Sequence, residues 1–202
     1  MPESVYIGLD LGQSNDFTAI SLLERETVRV GFDHALWEPV TETRLLLRHI
    51  ERIPLKTPYD QIVRYLRSFV TRPAFEDRKI YLVVDASGIG RPVYDLILAN
   101  HMPVTPYPVV ITGGDRVTYA YPFYNVPRKE LLTNLRILLE TRKLHITRRA
   151  PESEALLHEL TTFRSRANTG HDDLVFATAL AAWKAASPAP IIYEQTRPHG
   201  QS

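Results

Sequence analysis

The 202-residue chain contains no cysteine, which excludes disulfides and thiolate metal sites and fits a reducing compartment. It also carries almost no net charge: 24 Lys and Arg against 23 Asp and Glu leave a formal charge of +1. There is no basic arm or acidic tail, so any nucleic-acid contact depends on where cations sit, not on an excess of them. Long apolar runs are missing too. None approaches the roughly 20 residues that cross a bilayer, and the opening MPESVYIGLDLG lacks a basic region followed by a cleavable apolar core. The expectation is a soluble, cytoplasmic protein. What is present is 44% hydrophobic content, enough for one real core in one domain.

The apolar runs and their breakers predict an α/β layout. Residues 5–11 (VYIGLDL) read as a central strand ending in a polar turn, where Asp16 suits an Asx turn. β-rich runs follow at 17–23 and 28–32 with Glu24-Arg25-Glu26 between them, which together predict an antiparallel meander of three strands. Residues 45–53 (LLLRHIERI) fit strand or helix. Thr57-Pro58 predicts a helix start, with Ile62, Val63, Leu66, Phe69 and Val70 at helical spacing behind it. Residues 80–84 (IYLVV) form a second buried strand that ends in Asp85, and Gly88 and Gly90 break the chain before a helix over 93–100.

A strand is predicted at 106–111, and an aromatic-rich hairpin or extended loop at 113–126. One amphipathic helix opens at Pro127 with Leu131, Leu132, Leu135, Leu138 and Leu139; another begins near Pro151 with Leu156, Leu157, Leu160 and Phe163. The last helix lies in GHDDLVFATALAAW (170–183), and residues 187–202 are expected to form a poorly ordered tail. A meander, then alternating helices and strands, then helices, predicts a mixed sheet flanked by helices.

The chemistry-bearing residues are acids placed where apolar elements begin or end. Asp10 sits inside the first strand, where a buried charge is rarely left unpaired. Asp85 ends the second strand, with helix capping as its plainer reading. Asp172 and Asp173 start the last helix, where one carboxylate can cap and the second needs another reason. In open α/β sheets, sites form outside the carboxyl ends of strands. If the strands of Asp10 and Asp85 are neighbours, their carboxylates converge, and the last helix can bring Asp172 or Asp173 to the same point. Three carboxylates do not sit together ionised without a cation, and oxygen-only ligands favour Mg²⁺ or Mn²⁺. Two such ions roughly 3.5–4 Å apart activate a water and stabilise the leaving oxygen of a phosphodiester. His171 is a further ligand candidate, with a helix-start hydrogen bond as the alternative.

Five segments in order, GLDLGQSNDFTAI, RHIERIPLKTPYDQIV, VVDASGIGRPVYDLI, VPRKELLTNLRILLETRKLHI and GHDDLVFATALAAW, resemble the nuclease domain of bacteriophage terminase large subunits. They cover most of residues 5–184. The resemblance implies an RNase H-like nuclease domain over residues 1–186, with the hairpin near 113–126 as an insertion. It implies a divalent-metal endonuclease that cuts concatemeric double-stranded viral DNA during packaging in the host cell. The family's strand-one acid falls on Asp10, its strand-end acid on Asp85, and its helix-start acids on Asp172 and Asp173, with Asp173 favoured as the essential ligand. The partners implied are double-stranded DNA, a packaging ATPase domain, small terminase and portal proteins.

No phosphate-binding G-x-x-x-x-G-K-[ST] loop occurs, so no ATPase motor is expected in this chain. Phosphate-holding candidates are Arg128, Lys129, Arg142, Lys143, Arg148, Arg149, Arg164 and Arg166, with solvated helix faces as the competing reading. Tyr119, Tyr121, Phe123 and Tyr124 either guide DNA or pack a hairpin onto the body. Two rival readings are a Holliday-junction resolvase-like nuclease of the same superfold and an actin- or sugar-kinase-like ATP-binding lobe, whose first strand also reads GLDLG.

Overall fold

The computed structural model describes residues 4–12, 16–162 and 172–187. Its centre is strand β1 (Val5–Asp10), buried along its length except at Asp10. A strand covered on both faces must be apolar throughout, which is why VYIGL reads as a continuous run. Antiparallel to β1 lies β2 (Thr18–Asp33), and antiparallel to β2 lies β3 (Glu38–Ile53). The meander therefore exists, with a correction. The runs at 17–23 and 28–32 are one strand of 16 residues, and the third strand is the segment read as strand or helix at 45–53, extended back to Glu38. Glu24 does not break β2 because Arg48 and Arg78 donate to it from neighbouring segments, at 2.6 and 2.5 Å.

On the other side of β1 the sheet turns parallel. Strand β4 (Ile80–Asp85) pairs with β1, and β5 (Thr105–Thr112) pairs with β4. The hairpin of β6 (Thr118–Ala120) and β7 (Phe123–Pro127) completes this edge, since β7 pairs parallel with β5. It is thus part of the sheet. Tyr124 packs between Tyr107 and Trp183, with ring centroids 5.7 and 5.8 Å away, while Tyr121 at the turn is 86% exposed. A short strand that the sequence did not suggest, β8 (Leu144–Ile146), closes the opposite edge beside β3. The eight strands run β6-β7-β5-β4-β1-β2-β3-β8.

Helices α1 (Tyr59–Val70) and α2 (Gly90–Ala99) cover one face, over Ile7, Leu9, Ile20, Leu82 and Val84. Helices α3 (Arg128–Glu140), α4 (Ser153–Thr162) and α5 (Asp173–Ala186) cover the other, over Tyr6, Ala19, Leu23 and Val83. Helix α5 is the centre of that layer: every residue from Asp173 to Ala185 is buried. A helix apolar on all sides has no solvent face, and its alanines let it lie close to the sheet. A Cβ placed on Gly8 of β1 would stand 1.9 Å from the carbonyl oxygen of Ala177. Backbone touches backbone there. Thr178 anchors the contact laterally, donating to the Ser21 hydroxyl at 3.1 Å.

Candidate active site

Period-two alternation sends Tyr6, Gly8 and Asp10 of β1 toward α5, and Tyr81, Val83 and Asp85 of β4 the same way. Leu9 is opposite Val84 in the parallel pairing. One residue further on, Asp10 and Asp85 therefore stand side by side at the carboxyl ends of adjacent strands. Burial holds the Asp10 carboxyl well above its ordinary range, and the charges of Asp85, Asp173 and Asp172 raise it further. The other three acids named from the sequence thus all act on Asp10 through space.

Asp85 is held in a defined orientation. The Ser87 N–H donates to its Oδ1 at 2.8 Å, and the Ile111 N–H donates to the Ser87 hydroxyl at 2.9 Å. Burial raises the Asp85 carboxyl, and the Ser87 bonds oppose that rise. The capping alternative does not describe it: helix α2 starts behind Ile89 with no side-chain cap. Gly88, at φ +53°, makes the turn that lets the chain leave β4 and re-enter as α2. A Cβ on Gly90 would lie 2.0 Å from the Asp85 carbonyl oxygen, so α2 starts hard against the strand end.

At the start of α5 the two acids separate in role. Asp172 occupies the N-cap position, yet its side chain makes no capping bond. Instead Arg128, at the start of α3, pairs with it at 2.7 Å and stacks over the Phe176 ring at 4.3 Å. Asp173 is 6% exposed and faces Arg52 of β3, with Arg52 Nε 3.7 Å from its Oδ2. The cap comes from another helix. Glu159 of α4 accepts the Val175 N–H at 3.1 Å through Oε2 and pairs with Arg52 through Oε1. Burial pushes the Glu159 carboxyl up to about 7 against the Val175 and Arg52 interactions, and Asp173 adds to the rise.

Arg52, Glu159, Glu152 and Ser87 are parts of the candidate site that sequence reasoning did not find. Arg52 and Glu159 lie 107 residues apart in the chain, and no local motif links them. Glu159 did leave one trace. Leu156 and Glu159 are buried at i, i+3 while Leu157 is 43% exposed, so the buried stripe of α4 runs through an acid and not through Leu157.

The cations divide by position. Arg128 and Lys129 lie at the carboxyl-end rim, and Lys129 pairs with Asp115 across the exposed loop before β6. Arg142 and Lys143 lie at the other end, because Leu144 begins β8 beside Leu45, which pairs with Arg25 of β2. Asp10 pairs with Ala19, six residues along β2, so roughly 20 Å separates the two levels. Arg148 and Arg149 follow β8 and are exposed. Arg164, Arg166 and His171 lie outside the described residues.

Asp10, Asp85, Asp172 and Asp173 present only hard, anionic oxygens, the donor chemistry of Mg²⁺ and Mn²⁺. Burial first, and then the charges of Asp85, Asp173 and Asp172, raise the Asp10 carboxyl, an imbalance that a divalent cation would offset. Among the described residues no three such groups already stand in ligating geometry. Arg128 pairs with Asp172, and Arg52 faces Asp173. In donor type and charge the set fits the cation.

A mixed sheet with an antiparallel meander, parallel strands beyond it and acids at the carboxyl ends defines the RNase H-like fold class. Within it, the chain resembles the large terminase nuclease from thermophilic phage G20c with bound zinc. The TM-score is 0.51 at 20% identity, over 89% of this chain and 80% of that one. It is similar in the same degree to the large terminase nuclease domain from bacteriophage SPP1 with bound manganese: TM-score 0.51, 13% identity, 90% and 86% coverage. No protein-family model matches the chain, and no curated protein matches it.

Proposed function

We propose that this chain is a divalent-metal-dependent endonuclease that hydrolyses phosphodiester bonds of double-stranded DNA with little sequence preference, cutting concatemeric viral DNA during genome packaging. The observation that carries this reading is the alignment of Asp10 and Asp85 at the ends of adjacent parallel strands, with the charges of the α5 acids acting on Asp10. The likeness of fold to two phage terminase nucleases, one holding zinc and one manganese, supports it.

Asp10, Asp85 and Asp173 would hold the cation, with Asp172 at the rim. A bound Mg²⁺ or Mn²⁺ supplies Lewis acidity and an activated water. The chain's own residues do the rest. Ser87 orients Asp85; the buried α5 holds Asp173 at the sheet end; Arg128 and Lys129 sit where backbone phosphates must pass. Among the described residues no helix is long and apolar enough to cross a membrane. The packaging ATPase, small terminase and portal are the partners this reading proposes.

The test uses supercoiled plasmid with Mn²⁺, with Mg²⁺ and with chelator, beside Asp85→Ala. Metal-dependent nicking and linearisation, lost in chelator and in the variant, is the expected result; equal activity in Asp85→Ala would overturn the site. A strong preference for four-way junctions would replace the reading with a resolvase. A second measurement checks the cation map. Lys129→Glu should weaken DNA retention at low salt by about tenfold, whereas Lys143→Glu, at the far end, should leave it unchanged. Equal losses would remove the proposed path.

A further inference from the structure

We infer that Arg52 is a tethered counter-charge that positions the Asp173 carboxylate for the cation, with Glu159 and Glu152 as the tether. The inference deepens the nuclease reading and rests on it. Arg52 lies on β3 opposite Ala19, which pairs in turn with Asp10, so it stands level with the strand acids, two strands from Asp10 and three from Asp85. Its backbone N–H donates to Glu152 Oε1 and its Nη1 to Glu152 Oε2, both at 2.8 Å. Its Nη2 is taken by Glu159, and Phe17 lies against the guanidinium with its ring centroid 5.5 Å away. Only the Nε edge turns to Asp173, and at 3.7 Å it is within Coulombic reach but beyond hydrogen-bond length.

That distance matters. A guanidinium free to move closes on a carboxylate as a two-bond fork and takes both oxygens. A metal ligand held that way is lost to the metal. A buried acid with no cation nearby fails differently, because its uncompensated charge destabilises the metal-free fold. Two glutamates on the Nη atoms resolve the conflict: they keep the guanidinium near enough to compensate Asp173 and too occupied to fork onto it. Glu159 does a second job through its other oxygen, capping the α5 start at Val175, so the position of Asp173 is set by α4 as well as by the sheet. Oε1 and Oε2 of each glutamate accept a hydrogen bond that holds the tether in place.

Glu159→Gln separates these roles, because the amide oxygen still accepts from Val175 while the charge on Arg52 is released. Calorimetric titration of the whole chain with Mn²⁺ at pH 8, where Glu159 is ionised, should show about tenfold weaker binding, with far-UV dichroism unchanged. Cleavage should fall about tenfold at limiting Mn²⁺ and recover at saturating Mn²⁺. Adding Arg52→Met to Glu159→Gln removes the released guanidinium, so the double variant should bind Mn²⁺ more tightly than Glu159→Gln alone. A purely structural role predicts the opposite order. Where Glu159→Gln is too unstable to titrate, Glu152→Gln loosens the same guanidinium from the exposed side and should shift binding in the same direction. Unchanged binding in these variants, or a double variant weaker than the single, overturns the inference alone. A parent protein with no Mn²⁺ heat overturns the nuclease reading and this inference with it.

Discussion

Replacing Asp10 with asparagine should reduce cleavage by at least about a thousandfold and, in chelator at neutral pH, should raise the melting temperature. The two effects have one cause. Asp10 is held well above its ordinary range by burial and by Asp85, Asp173 and Asp172, so ionising it in the folded, metal-free protein is costly. Asparagine keeps the shape, removes the charge and removes the proposed ligand. Each kcal/mol relieved is worth about 2–4 °C in a domain of this size.

The sign of the pH dependence follows from the same shifts. Asp10, Asp85 and Glu159 all hold their protons longer in the fold than in the unfolded chain, Glu159 to about 7. As pH rises from the ordinary carboxylate range through 7, the unfolded chain ionises first, and stability falls. Glu24 and Glu51 act oppositely: their pairing with Arg78, Arg48 and His49 lowers them, and that contribution is lost only below the ordinary range. Melting curves in chelator at pH 5 and pH 7.5 should therefore show higher stability at pH 5, with a smaller difference in Asp10→Asn. Full cleavage by the variant, or a larger pH difference, would show that Asp10 is not the centre of this charge cluster.

Gly8→Val should be the most damaging single change away from the acids. A Cβ at this position would meet the Ala177 carbonyl oxygen at 1.9 Å and the Ala181 nitrogen at 2.9 Å. Neither is the end of a flexible side chain that could swing aside. Helix α5 would have to lift from β1, exposing the buried surface of Leu174, Leu180 and Trp183. Overpacking in cores commonly costs about 1–3 kcal/mol, and backbone-on-backbone contact belongs at or above the top of that range. Urea midpoints should drop accordingly, and Mn²⁺ binding should weaken even where the chain still folds, because α5 carries Asp173. A variant with parental stability would mean that the helix–strand approach is looser than described.

Much of this site was readable one element at a time. VYIGLDL and IYLVVD announced strands covered on both faces, because such strands can afford no polar face. The same logic made Asp10 and Asp85 conspicuous, as charges at the ends of apolar runs. The long β2 was less readable, since Glu24-Arg25-Glu26 looks like a break until Arg48 and Arg78 arrive from elsewhere to neutralise it. The segment at 113–126 read as a hairpin or an extended loop, and its pairing with β5 was not legible, because parallel pairing leaves no local turn to announce it.

The sequence by itself determined which groups are present: four acids at element ends, a glycine where β1 meets a helix, and an alanine-rich helix able to lie on it. Local chemistry dictates these, through burial, periodicity and capping. Only the tertiary structure decided what each acid does. Strand order put Asp10 beside Asp85. Arg128 took Asp172, Glu159 took over the helix cap, and Arg52 came to face Asp173. The physical reason is distance along the chain: contacts between residues a hundred positions apart form only when packing brings them together, and no spacing records them beforehand.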